Sequence, residues 1–178
     1  GQWFMCLTIG AGDFAYSAGS WSPDWKLYPA DFDGDGRKDF LLYNPVTGRW
    51  FQAVTSGFGS FHYRGGYWSE PWQVYPADFN NDAYTDLFLY NPMNGAFDFS
   101  LYRNGTSIIS TTGYGSTGWN VYLGDFDSNG LIDLFLYNPR SGAWRESFFT
   151  TRNNTFFSFD GSWSPDWQVY ATDLNGDH

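Results

Sequence analysis

The chain has 178 residues, a formal net charge of −10 and an aromatic content of 23%, enough length for one sizeable core and more rings than a soluble core needs. Its 9 Lys and Arg are scattered without a basic run, which argues against nucleic acid as a partner, and no apolar stretch approaches membrane-spanning length, so no insertion is expected. Cys6 is the single cysteine, which excludes an intrachain disulfide, and its neighbours Met5 and Leu7 predict a packed thiol.

In chain order the residues read as a repeat. Units begin at Gly1, Gly48, Gly95 and Gly142 and cover 1–47, 48–94, 95–141 and, cut short, 142–178. Each opens with an aromatic segment: Gln2-Trp3-Phe4, Arg49-Trp50-Phe51, Ala96-Phe97-Asp98, Ala143-Trp144-Arg145. A β-favouring run such as Trp50 to Thr55 follows, then a turn rich in Gly, Asn or Ser, then a second run such as Phe61 to Arg64. A Trp/Pro segment comes next, running Trp21 to Trp25, Trp68 to Trp72 and Trp163 to Trp167; the third unit keeps only Trp119 and has Gly115 where the others have their first Trp. Short strands are predicted at Lys26 to Tyr28, Gln73 to Tyr75, Asn120 to Tyr122 and Gln168 to Tyr170, each leading into an acidic loop. The most apolar strands follow the loops, from Asp39 to Tyr43, Asp86 to Tyr90 and Asp133 to Tyr137, and each ends at Asn-Pro, because proline cannot donate to a ladder. No stretch has a helical period. Four short strands per repeat, joined by tight turns, predict an all-β chain: a single repeat domain forming a β-propeller-type array of four-stranded antiparallel blades.

The acidic loops carry the chemistry. Asp31, Asp33, Asp35 and Asp39 converge on one point if the backbone turns tightly, which Gly34 and Gly36 permit. Clustered carboxylates repel one another, and a hard divalent cation that prefers oxygen relieves the repulsion. The spacing opens like the EF-hand calcium loop, but the flanks are strands and Asp39, the ninth residue, closes it. The loop returns as Asp78, Asn80, Asp82 and Asp86, as Asp125, Asp127, Asn129 and Asp133, and in part as Asp173, Asn175 and Asp177; the first residues stand 47, 47 and 48 apart. Of the 19 acids, 12 lie in these loops, and four bound divalent ions would bring the net charge from −10 to −2. The acidity is ion chemistry more than a partner signal. In such closed loops calcium is expected to be structural.

The run from Ala30 through Asp31, Asp33, Asp35 and Asp39 to Pro45 and Gly48 resembles the FG-GAP/VCBS repeat, the calcium-binding blade of integrin α-subunit propellers and of many secreted bacterial proteins. Leu42-Tyr43-Asn44-Pro45 stands where that family often ends in Gly-Ala-Pro, which marks a divergent branch. The resemblance implies side-chain ligands at loop positions one, three, five and nine and a carbonyl at seven. These fall on the acids and amides named above, with the carbonyls of Arg37, Tyr84 and Leu131; loop two has Ala83 where glycine is expected. Calcium loops of this kind work at extracellular calcium concentrations, so an extracellular setting, secreted or at a cell surface, is expected. The segment Ala18-Gly19-Ser20-Trp21 is similar to fungal propeller lectins, whose sugars bind between blades near a Trp.

Trp21, Trp68 and Trp163, missing from one unit and so less essential to the fold, are candidate glycan contacts; Trp25, Trp72, Trp119 and Trp167 are expected to pack. Asn104 and Asn153 begin N-x-[ST] sequons at corresponding hairpin tips and are candidate glycosylation sites, equally well read as turn formers. His62 is the single internal histidine, Glu70 and Glu146 occupy non-equivalent places, and no nucleophile–base constellation recurs, so the chain is not expected to be an enzyme. The functional expectation is a calcium-stabilised adhesion or recognition module for glycans or an extracellular protein. The alternative is a filament subunit self-associating head-to-tail through incomplete terminal blades.

Overall fold

The computed structural model describes residues 1–57, 59–69, 71–152 and 154–172, and every helix or strand among them is a strand. The chain divides into two compact units, Gly1–Pro71 and Trp72–His178. In the first, β1 (Gln2–Gly10) and β2 (Asp13–Ser20) form a two-stranded sheet, and β3 (Lys26–Ala30), β4 (Asp39–Tyr43), β5 (Arg49–Thr55) and β6 (Phe61–Tyr67) form a four-stranded one. The second unit holds two more four-stranded sheets. One is built from β7 (Gln73–Ala77), β8 (Asp86–Tyr90), β9 (Ala96–Arg103) and β10 (Thr106–Tyr114), the other from β11 (Asn120–Gly124), β12 (Asp133–Tyr137), β13 (Ala143–Thr150) and β14 (Thr155–Ser162). Strands in each sheet follow chain order and pair antiparallel, with the acidic loop joining first strand to second.

The sheets span 26–67, 73–114 and 120–162, so the 47-residue register divides each one between its second and third strands. That junction is a turn set by asparagine. Asn44 Oδ1 accepts from the N–H groups of Val46 and Thr47, each at 3.0 Å, and Asn138 Oδ1 does the same for Arg140 and Ser141. The turn closes on Gly48, Gly95 or Gly142, all at φ 71–77°. A side chain there would also meet the backbone of the incoming Trp segment.

β8 and β12 are buried along their whole length because each has strands on both sides and side chains packed on both faces. In the second unit Phe79, Phe88, Tyr90, Phe99, Leu101, Leu134, Leu136 and Phe149 make one core shared by its two sheets. In the first, Phe32, Leu41, Leu42, Tyr43 and Ala53 are buried.

A cross-strand aromatic–glycine pair recurs in every sheet. Trp3, Trp50, Phe97 and Trp144 lie directly opposite Gly19, Gly66, Gly113 and Gly161. A Cβ on Gly66 would stand 2.7 Å from Trp50 Cζ2, and one on Gly113 2.7 Å from Phe97 Cζ, so the ring lies flat across its glycine. Tyrosine supplies a second recurring tie. Tyr90 Oη donates to the Ser116 carbonyl at 2.8 Å and accepts from Trp119 N–H, as Tyr137 Oη does with Ser164 at 2.9 Å and Trp167. Each pins a Trp segment to the second strand of the sheet before it.

Two expectations fail. Cys6 is exposed, not packed, because β1 alternates: Trp3, Met5 and Leu7 turn one way, Phe4, Cys6 and Thr8 the other. Residues 168–170 form no strand; in the other repeats this segment becomes one by pairing with the strand after the loop, and among the described residues it has no such partner. Among the described residues no helix is long and apolar enough to cross a membrane.

Candidate calcium loops and aromatic clefts

The acidic loops are wound by their own carboxylates. Asp31 accepts from Gly34 N–H at 2.7 Å and from Gly36 N–H at 2.8 Å. Asp78 accepts from Asp82 at 3.1 Å and Ala83 at 2.8 Å, and Asp125 from Asn129 at 3.0 Å and Gly130 at 2.7 Å. Position six is left-handed in all three, at φ 82° for Gly36, 71° for Ala83 and 81° for Gly130. Loop two therefore keeps the conformation with an alanine, at a strain of roughly 1 kcal/mol.

The ninth residue plays a different part. Asp39, Asp86 and Asp133 are fully buried. Each carboxylate bridges the loop to a neighbouring strand: Asp39 accepts from Phe32 N–H at 2.9 Å and Thr55 N–H at 2.8 Å, Asp86 from Phe79 and Tyr102, Asp133 from Phe126 and Phe149. Burial pushes all three carboxyls above the usual range, against the pull of those amides, and the loop's other acids add to the rise; Asp86 reaches about 7.

Asp31, Asp33 and Asp39 bring one oxygen each to within 4.8 Å of one another, and so do Asp125, Asp127 and Asp133. Calcium–oxygen distances of about 2.3–2.6 Å put opposed ligands roughly 5 Å apart, so a calcium ion fits each group. A carboxylate oxygen has two lone pairs and can serve an amide and an ion together. Asp35 stands outside the first group; it accepts from Arg37 N–H and pairs with the Arg37 guanidinium at 2.9 Å. Loop two has Asn80 at position three, with its amide donating to Asp82 at 3.2 Å. Asp173, Asn175 and Asp177 lie outside the described residues, as do Glu70 and Asn153.

Each candidate Trp packs against the ring that opens its repeat. Trp21 lies 5.4 Å from Trp3, Trp68 5.5 Å from Trp50, and Trp163 5.9 Å from Trp144. Trp21 also lines open surface. A groove of about 320 Å3 runs over Trp21, Trp25, Phe51 and Tyr63 with Ser20 and Ser22 at its side. A second hollow of about 370 Å3 on the same two indoles adds Asp24. Trp21 Nε1 donates to Tyr63 Oη at 3.3 Å and Trp25 Nε1 to Ser22 Oγ at 2.8 Å, which fixes both rings.

Asn104 and Gly105, at φ 48° and 65°, form a two-residue turn between the paired Arg103 and Thr106, the type I′ hairpin that Asn-Gly favours. Asn104 is exposed at that tip.

Residues 31–89 match the FG-GAP-like repeat, from the first residue of loop one into the strand after loop two. A solved structure of an Agrocybe aegerita lectin, described as specifically recognising non-reducing terminal N-acetylglucosamine, is similar with a TM-score of 0.67 at 16% identity, over 92% of this chain and 46% of that one. The likeness is one of fold, and the fold is an array of β-propeller blades. This chain spans about half the length of that lectin. No curated protein matches it.

Proposed function

We propose that this protein is an extracellular, non-catalytic recognition module that binds glycans and is stabilised by calcium. The observation that carries the reading is the pair of hollows around Trp21 and Trp25, where fixed aromatic faces stand beside the hydroxyls of Ser20 and Ser22 and the carboxylate of Asp24. A sugar ring offers an apolar face to stack on an indole and a rim of hydroxyls, and a mostly apolar site with a few convergent polar groups recognises both. The resemblance in fold to a lectin supports the ligand class. The FG-GAP-like match supports calcium and the extracellular setting, since such repeats typically bind calcium and occur outside the cell. Asp31, Asp33 and Asp39, and likewise Asp125, Asp127 and Asp133, would hold the ions and clamp loop to strand.

A glycan array probed with the protein in millimolar calcium tests the reading. Binding to a defined sugar class, removed by Trp21→Ala in a variant that keeps its circular dichroism, supports it. Absence of any glycan ligand for the folded, calcium-loaded protein overturns it.

A further inference from the structure

The third repeat has Gly115 where the others have their first Trp, and the missing ring leaves a hole. Gly115 N–H donates to the Gly95 carbonyl at 2.8 Å, as Trp163 N–H does to the Gly142 carbonyl at 2.8 Å, so the two residues occupy the same backbone position. The Trp163 indole packs 5.5 Å from Phe135, 5.8 Å from Tyr137 and 5.9 Å from Trp144. The residues at those places one repeat earlier are Phe88, Tyr90 and Phe97. With glycine at 115, these three line a cleft of about 250 Å3 inside the second unit, beside Gly115 itself.

We propose that this cleft is a binding site for a small planar aromatic molecule with an indole-sized ring, seated where the missing side chain would lie. The fold supplies its own template, since Trp21, Trp68 and Trp163 each fill the corresponding place with an indole packed against the opening ring of their repeat. Phe97, Trp119 and Leu136 give the cleft an apolar lining, and Ser116 and Ser158 are among its polar residues. Apolar cavities of roughly 150 Å3 take up benzene, so this cleft has room for a fused bicyclic ring. The groove over Trp21 differs at the matching positions: Trp21 stands in place of Gly115, Phe51 in place of Arg145 and Tyr63 in place of Ser158. The two surfaces therefore select different ligands, and this proposal does not rest on the glycan reading.

The test is a titration of the whole chain with 5-fluoroindole, read by fluorine NMR and calorimetry. Saturable one-to-one binding is expected. Gly115→Trp should weaken it at least tenfold while raising the melting temperature, because a Cβ there meets only the Gly95 carbonyl oxygen at 3.9 Å and the backbone is not left-handed. Trp163→Gly should open a second cleft and raise the stoichiometry to two, which keeps the proposal testable if Gly115→Trp does not fold. No saturable binding by the unmodified protein at millimolar 5-fluoroindole overturns the proposal, and so does unchanged affinity in folded Gly115→Trp. Glycan binding is expected to persist in Gly115→Trp, so the two readings fail separately.

Discussion

Asp39→Ala should destabilise the protein with or without calcium, and by more than Asp31→Ala does. The Asp39 carboxylate is fully buried and satisfies the amides of Phe32 and Thr55 at 2.9 and 2.8 Å. Alanine leaves two buried N–H groups unpaired, at about 1–3 kcal/mol each. Burial already pushes this carboxyl above its ordinary range, so the ionised side chain carries a penalty that alanine removes. The expected loss falls toward the low end, roughly 2–4 kcal/mol out of a typical ~5–15. Asp31 binds the exposed amides of Gly34 and Gly36, which water can serve instead. Its removal should cost mainly the ion: about 1.4 kcal/mol per site if calcium is at ~10 times its dissociation constant. Urea unfolding of both variants and the parent, in millimolar calcium and again in EDTA, separates the terms. Equal stability of Asp39→Ala and the parent in EDTA would refute the reasoning, as would an Asp31→Ala loss in EDTA as large as that of Asp39→Ala.

Three further outcomes follow from the same geometry. Burial raises Asp86 to about 7 from an ordinary value near 3.8, so the fold favours its protonated form, and that contribution, complete in acid, is lost as pH climbs through 7. Melting in EDTA should therefore fall between about pH 4 and 7 and level off above, and Asp86→Asn should flatten the slope. Gly66→Ala forces Trp50 off its seat, where Cζ2 would be 2.7 Å from the new Cβ; a loss of about 1–3 kcal/mol in urea unfolding and a weakened near-ultraviolet dichroism are expected. Tyr137→Phe removes the bonds to Ser164 and Trp167, which should cost about 0.5–1.5 kcal/mol and speed hydrogen exchange at the Trp167 amide.

The repeat, the loops and the strands before and after them are legible in the sequence because each carries a local signal. Asp at one and nine with Asp or Asn at three marks the loop; an apolar run ended by Asn-Pro marks the strand behind it. Contacts made across strands have no such signal. That Gly66 makes room for Trp50 shows only in the register, although the glycine two residues before Trp21, Trp68 and Trp163 was there to be read. The run Met5-Cys6-Leu7 misleads for the same reason: apolar composition suggests burial, while the pleat sends Cys6 outward. The double duty of Asp39, Asp86 and Asp133 is likewise hidden, since their second amide comes from a residue 16 positions away on the next strand of the sheet.

Calorimetric titration of calcium into the metal-free chain tests the central claim most directly. The account predicts saturable binding at two or more sites, a rise in melting temperature that EDTA reverses, and loss of two sites in the double variant Asp31→Ala, Asp125→Ala. Absence of calcium binding, with melting unchanged by EDTA, would contradict it.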